Sequence, residues 1–444
     1  MKRIGILGDR RVSGYLASSI IWLNKREENI VKRKLSRVLF VAVICVLLLG
    51  LTGIVGCATT TQVENTITIG AAVSLTGKTA YEGKSVQQGY EVWADWVNSH
   101  GGITAGGKNY KVKMIYYDDQ SDATTGAQLT EKLITQDKVD FLFGPFSSAI
   151  TFATTAIGEK YKKLTIAPEA NATNVYKRGY KYVFSVLPPA PALMVPIAEL
   201  ASKMNPKPKT VALITANDLF PISCSAGFRD EAAKLGFQLV LDEKYAAGAT
   251  DISTLLSKVK TLNPDILVCS GYTADSLMVM KQCKELDVNP KMYIFAVGVM
   301  LPGFVQALGA TAEYVLEGEW WLPQMKLTDE IFGTTAVYVK ACTDKFGADY
   351  VPPYQTSSGT AAGELLQLAI KKADSIDTDK VRDALASLDV KLVSWPEIAF
   401  NEKGQDIMTI HPVIQVQNGK FILVYPEDSQ EKPLIYPTPV WGKR

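Results

Sequence analysis

The sequence predicts an α/β protein of two lobes, each a mostly parallel sheet flanked by helices. Three observations lead there. Across residues 66–185, short apolar runs alternate with amphipathic helical stretches, the rhythm of a parallel sheet covered on both faces. Leu187-Pro188-Pro189-Ala190-Pro191 interrupts that rhythm, and from Thr210 it begins again. At 444 residues the chain is also too long for one ordinary core.

In the first half, residues 66–73 read as a buried strand and 74–81 as a turn-rich loop. Residues 82–98 have helical spacing, with Val86, Tyr90, Trp93 and Val97 on one side, and the pair Gly101-Gly102 ends that helix. A second strand over 110–117 closes on Asp118-Asp119, and a second helix covers 123–136. The third strand, Phe141-Leu142-Phe143, runs into Gly144-Pro145, and Ser147-Ser148 open a helix over 149–162. Residues 164–168 and 182–185 complete this half as strands. In the second half the strands are 210–215, 238–245, 265–270 and 292–297, with a helix ending near Lys234, one capped by Asp251, and one running to Leu286. Gly298-Val299-Met300 is the exit loop of the last of these strands.

Ligands of parallel sheets sit at the carboxyl ends of the strands. The 74–82 loop, Ser147-Ser148 and Glu169-Ala170-Asn171 all fall at that edge. A helix start has amide N–H groups without intrahelical partners and the positive end of the helix dipole, a receptor for a carboxylate or phosphate. Taken alone, either serine reads as a simple N-cap. The convergence of three loops favours the anion receptor.

Charge and composition exclude other classes. Residues 1–56 hold ten of the 47 Lys/Arg but three of the 45 Asp/Glu, which leaves 37 against 42, about −5, for the rest. That balance argues against a nucleic-acid partner. The two histidines, His100 and His411, lie far apart and outside any zinc or triad motif, and no cofactor is expected. Ser147 and Ser148 lack a G-x-S-x-G elbow, so no enzyme is predicted. Cys224, Cys269, Cys283 and Cys342 show no C-x-x-C spacing and read as small core residues, their pairing left open.

At the amino terminus a basic stretch precedes the apolar run 38–51, which ends in Ile54-Val55-Gly56-Cys57. This is the pattern of an export signal over residues 1–56, with an uncleaved membrane anchor as the other reading. Met1 to Ile30 is foreign to such a signal, and an upstream misassigned start is expected. The Thr-rich residues 57–65 read as a tether.

An ordered set of residues carries a family resemblance: Ile69-Gly70, Ser74-Leu75-Thr76-Gly77, Asn98, Gly101-Gly102, Asp118-Asp119, Gly144-Pro145-Phe146-Ser147-Ser148, Pro168, Arg178-Gly179-Tyr180, Asn263-Pro264-Asp265, Gly271-Tyr272 and Asn401-Glu402-Lys403-Gly404. From Thr66 to about Tyr425 the chain resembles the leucine/isoleucine/valine-binding type I periplasmic binding proteins, receptors of ABC importers. The resemblance implies a two-lobed clamshell with three hinge crossings, lobe 1 over 66–188 and 319–398, lobe 2 over 189–318 and 399–425, and a surface tail over 426–444. It also implies a monomeric receptor of a small carboxylate, an amino acid of branched-chain or hydrophobic type, delivered to a membrane permease. The Ile-Val-Gly-Cys ending resembles a bacterial lipobox, which implies lipidation of Cys57 and an extracytoplasmic, membrane-anchored lipoprotein.

In that family the ligand's carboxylate lies at the serine-bearing helix start, here Ser148 with Ser147. The element after the fourth strand falls on Glu169, Ala170 and Asn171. The family's ligand-facing tyrosines fall on Phe220, on Thr273 beside Tyr272, and on Glu82 with Tyr81 one place earlier. Of Trp320 and Trp321, one is expected at the cleft and one in the core. The family's acidic partner for the ligand ammonium falls on Gly298, which has no side chain to offer. Either Glu169 or Glu82 replaces it, or the ligand is a non-amino carboxylate, aromatic or hydroxy acid, or a small amide. Glu169 as a solvated loop carboxylate is the competing reading, and a ligand sensor is the competing role.

Overall fold

The computed structural model describes residues 65–407 and 412–444. The predicted export segment, Cys57, the predicted tether through Glu64 and His411 lie outside the described residues. Two sheets organise the fold. The first comprises β1 (Asn65–Val73), β2 (Ile103–Ala105), β3 (Lys108–Asp118), β4 (Phe141–Phe143), β5 (Thr165–Ala167) and β6 (Val183–Ser185), in the order β2-β3-β1-β4-β5-β6. All its pairings are parallel except the β2–β3 hairpin at the edge. That hairpin is absent from the sequence reading, because three residues between glycine pairs leave no periodicity to detect.

The second sheet comprises β7 (Thr210–Ala216), β8 (Gln238–Tyr245), β9 (Ile266–Ser270), β10 (Met292–Phe295) and β11 (Val315–Gly318). After the short β12 (Asp389–Val390) and β13 (Ile398–Ala399), which pair with each other, β14 (Val413–Gln417) and β15 (Lys420–Tyr425) complete it. The order is β15-β14-β11-β10-β9-β7-β8, parallel from β8 to β11 and antiparallel through β14 and β15.

The longer helices are α1 (Ala80–Ser99), α2 (Ala123–Thr135), α3 (Ser148–Lys160), α4 (Leu219–Leu235), α5 (Ser253–Leu262), α6 (Thr273–Glu285), α7 (Thr335–Phe346), α8 (Tyr354–Ala373) and α9 (Thr378–Ala386). Helix α8 returns to the first sheet and packs on α1 at unusually close range. A Cβ on Gly89 would meet the Thr356 carbonyl, and one on Gly359 would meet the Val86 carbonyl. Thr360 Oγ1 donates to the Gly89 carbonyl at 3.0 Å across the same crossing. Trp93, fully buried, covers Gly363.

The loop between β11 and α7 is pinned to α8 by a carboxyl pair. Asp329 accepts from the amides of Ile331, Phe332, Gly333 and Val393. Glu364 beside it accepts from Ser394 Oγ; burial first, then the Asp329 charge, raises its pKa.

Two details depart from expectation. The α5 N-cap is Ile252 rather than Asp251, whose Oδ1 accepts from the Ser253 amide at 2.7 Å from one place earlier. Residues 399–406 do not cross near Ile398. The Ser185 amide donates to the Gly404 carbonyl at 2.8 Å, and Phe184 meets Phe400 edge-on at 5.2 Å, so this segment stays beside β6. The tail beyond Tyr425 folds back on the second sheet, where Gln415 exchanges hydrogen bonds with the Ile435 main chain. The four cysteines expected in the core are buried and unbridged. Among the described residues no helix is long and apolar enough to cross a membrane.

Candidate functional site

Strand β1 has β3 on one side and β4 on the other, so the chain leaves the first sheet in opposite directions there. Such a switch point opens a crevice at the strand ends. The second sheet has the same arrangement at β7, between β8 and β9. Both crevices contribute to one cleft.

At the first crevice Tyr90 Oη of α1 donates to the Gly144 carbonyl at 2.6 Å and fixes the turn before α3. Ser147 is the N-cap, its Oγ accepting weakly from the Ile150 amide at 3.5 Å. Ser148 Oγ accepts from the Ala172 amide at 3.3 Å, which ties the loop after β5 to the helix start. Both serines are buried. The first-turn amides of Ser148 and Ala149 have no intrahelical acceptor by geometry, and α3 adds the positive end of its dipole.

In front of that helix start, Phe146, Ser148, Glu169, Leu187, Phe220, Tyr272, Trp320 and Tyr354 line one cavity of about 10 Å³, room for one water at most. Its apolar walls are rings: Phe220 stacks on Tyr272 at 5.8 Å, Phe146 meets Tyr272 edge-on at 5.9 Å, and Trp320 tilts against Tyr354 at 4.7 Å. Trp321 turns the other way, into the core, where its Nε1 donates to the Val393 carbonyl at 3.0 Å.

The cleft is shut by contacts between the lobes. Thr273 Oγ1 donates to Glu82 Oε1 at 2.5 Å, and Lys78 Nζ lies 3.3 Å from Asp218 Oδ2 at the α4 N-cap. A ligand with a side chain enters only when these part.

Of the residues singled out from sequence, Ser148, Glu169, Phe220, Tyr272 and Trp320 meet at the cavity. Glu82 and Thr273 meet at the rim. Tyr81 is 47 % exposed and outside the cavity wall, because one residue along a helix turns the side chain by about 100° from the inward-facing Glu82. Ala170 is buried, its carbonyl accepting from Tyr176 Oη. Asn171 Nδ2 donates to the Pro188 carbonyl at 2.7 Å, which binds the loop to the lobe crossing. Gly298 has φ +101°, and a Cβ there would sit 2.6 Å from Thr273 Cα. No acidic side chain fits at that position.

Glu169 is not a solvated loop carboxylate. It is buried and accepts from Ser358 Oγ of α8, and desolvation raises its pKa well above the usual range. Two further carboxylates went unnoticed in the sequence. Glu317 of β11 accepts from the Met300 amide at 2.6 Å, steadying the loop that carries Gly298. Glu319, two residues on, is fully buried with neither carboxylate oxygen hydrogen-bonded to a side chain. Burial raises both, and for Glu319 the nearby Glu317 and Glu169 charges add to it. Two glutamates at i and i+2 in Val315-Leu316-Glu317-Gly318-Glu319-Trp320-Trp321-Leu322 were the signal available. Among the described residues no group of three or more His, Cys, Asp or Glu is placed to hold a metal ion.

The fold and its inter-lobe cleft define a two-lobed solute receptor. A sequence profile of the periplasmic binding protein family matches residues 66–420, and the chain belongs to that family. It is 24 % identical over 380 residues to Leu/Ile/Val-binding protein homolog 8 of Brucella abortus (strain 2308), covering 82 % of this chain and 91 % of that one. The branched-chain amino acid transporter substrate binding protein LivJ of Streptococcus pneumoniae, in complex with isoleucine, superposes with a TM-score of 0.71 at 23 % identity, over 84 % of this chain and 100 % of that one. A solute binding protein of an R. palustris ABC transporter, in complex with benzoate, gives 0.69 at 18 % identity, over 81 % and 96 %. The family's members are substrate-binding proteins rather than enzymes.

Proposed function

We propose that this chain is the extracytoplasmic receptor of an ABC importer and binds a small aliphatic amino acid between its lobes. The carrying observation is that the α3 helix start, the buried carboxylate of Glu169 and a box of five aromatic rings share one cavity. The amides near Ser148 suit a carboxylate, the rings suit an apolar side chain, and Glu169 suits an ammonium. Docking on the first lobe and closure by Phe220 and Tyr272 form a population shift that only a ligand touching both lobes drives. The closed form then meets a membrane permease, with lipid on Cys57 keeping the monomeric protein near it.

The test is a thermal-shift and calorimetric screen of the purified chain from residue 58 against aliphatic amino acids. A ligand at a hundred times its dissociation constant adds about 2.7 kcal/mol of stability. No response to any amino acid rejects the proposal. A second reading, an aromatic or hydroxy carboxylate without an amine, is favoured by Gly298 and by the likeness to the benzoate complex.

A further inference from the structure

A second, larger cavity shares Tyr272 as a wall with the cleft. It measures about 510 Å³, within the ~300–1,000 Å³ of small-molecule sites, whereas the space in front of α3 has room for one water at most. It opens beyond the carboxyl ends of β7 and β8, between α6 and the loop that follows β8. One face of α6 forms the long wall, since Ala274, Leu277, Met278, Lys281 and Glu285 recur at helical spacing. The opposite wall is tied down. Gln282 of α6 accepts from the Ile252 amide at 3.0 Å and donates to the Thr250 carbonyl at 3.3 Å. Ala216, Ala247 and Ala249 add only methyl groups to this space and leave it unfilled.

Four charged side chains line the cavity, two of each sign. At the cleft end they are engaged: Lys78 lies 3.3 Å from Asp218, and Asp275 accepts from the Tyr272 amide at 2.8 Å. Further along α6, Lys281 and Glu285 stand one turn apart, and among the described residues neither has a hydrogen bond or an ion pair. The Tyr272 hydroxyl, buried in the wall common to both cavities, has no hydrogen-bond partner either. An ion of one sign gains little from a balanced lining, whereas a zwitterion matches both free charges while its body covers the methyl groups. We propose that this cavity is a second ligand site, for a small zwitterion with an aliphatic body whose carboxylate meets Lys281 and whose ammonium meets Glu285. Lys78 is the lining residue that comes from the first lobe, so the site is complete only when the lobes are shut. Ligands of the two cavities then favour the same form and tighten each other. The site stands independently of what the cleft binds.

The experiment is calorimetry of the purified chain with leucine as the probe, on the native chain and on Ser148→Asp, Ala247→Trp, Lys281→Met and Glu285→Gln. Ala247, Lys281 and Glu285 are exposed, so the last three variants should fold as the native chain does. The native chain is expected to take up two leucines. Ser148→Asp should keep the one beside α6, and Ala247→Trp, which fills the larger cavity, should keep the one in the cleft. Lys281→Met and Glu285→Gln should each weaken the site beside α6 by about fivefold, the upper range for an exposed ion pair, and leave the cleft site in place. In Ser148→Asp, 4-methylpentanoate and 3-methylbutylamine, each with one of leucine's two charges, should bind more weakly than leucine by a similar factor. A native stoichiometry of one that Ser148→Asp abolishes and the other three variants leave untouched overturns the inference and upholds the cleft reading. A single leucine kept in Ser148→Asp but lost in Ala247→Trp does the reverse. Either single-charged probe matching leucine in Ser148→Asp overturns the zwitterion. No site tighter than about 1 mM in any of the chains overturns both readings.

Discussion

The two walls of the cleft are built on opposite principles. The first-lobe wall is polar and pre-tied: Ser148 is fastened to Ala172, Glu169 to Ser358, and the Gly144 turn to Tyr90. The second-lobe wall is apolar, with Phe220 stacked on Tyr272 and only a glycine at 298 where an acid could have stood. Directional groups need fixed geometry before a ligand arrives, whereas rings gain from burial only once the halves meet. On the proposed function, the difference puts carboxylate recognition at the first-lobe helix start and the drive for closure on the second-lobe rings.

The sharpest way to break that division is Ser148→Asp. A carboxylate at the α3 N-terminus suits the dipole, so the fold should keep its melting temperature. It also opposes the carboxylate of the proposed ligand, and a like-charge contact of several kcal/mol should cut affinity at least about a hundredfold. Equal affinity in that variant would move the anion site elsewhere. Phe220→Ala attacks the other wall. Phe220 is buried against Tyr272 and Trp320, so its loss should destabilise the chain by about 3 kcal/mol and weaken every ligand alike, with or without an amine. Selective loss of amine-bearing ligands would contradict the division of labour.

The pH dependence of stability is a smaller, graded test. Burial raises the carboxyl groups of Glu82, Glu169, Glu317, Glu319 and Glu364. Above the unfolded pKa of about 4.3 the folded chain therefore binds more protons than the unfolded one. The stability these groups contribute is complete below that value and is lost as pH rises through their folded pKa values. The melting temperature of the ligand-free chain should fall between about pH 5 and about pH 8. Glu364→Gln, which keeps a neutral group against Asp329, should flatten the slope; an unaltered slope assigns it to the cleft carboxylates. The smallest effect belongs to the rim. Lys78→Met removes a half-exposed ion pair with Asp218 and should change stability by less than about 1 kcal/mol while easing opening, seen as faster ligand release that high salt reproduces in the native chain.

Much of this architecture was legible in the chain alone. Gln238–Tyr245 is a strand at the residues its pattern predicted, and the helix after Gly144-Pro145 begins at the serines that mark it. These features depend on neighbours a few residues apart, where alternation, helical spacing and capping operate. The alternation of Glu82 inward and Tyr81 outward needed the helix register, and an offset of one residue was enough to misplace a side chain.

The cleft carboxylates depended on something else. Ser358 lies 189 residues from the Glu169 it holds, and Glu319 stands near Glu169 only because β11 ends against the first lobe. Local pattern determined the strands, the helices, the two-lobed class and the helix start that faces the cleft. Which carboxylates share that cleft, and that Gly298 has no space for another, was decided by tertiary packing, because burial and charge proximity are properties of distances between segments that sequence spacing does not encode.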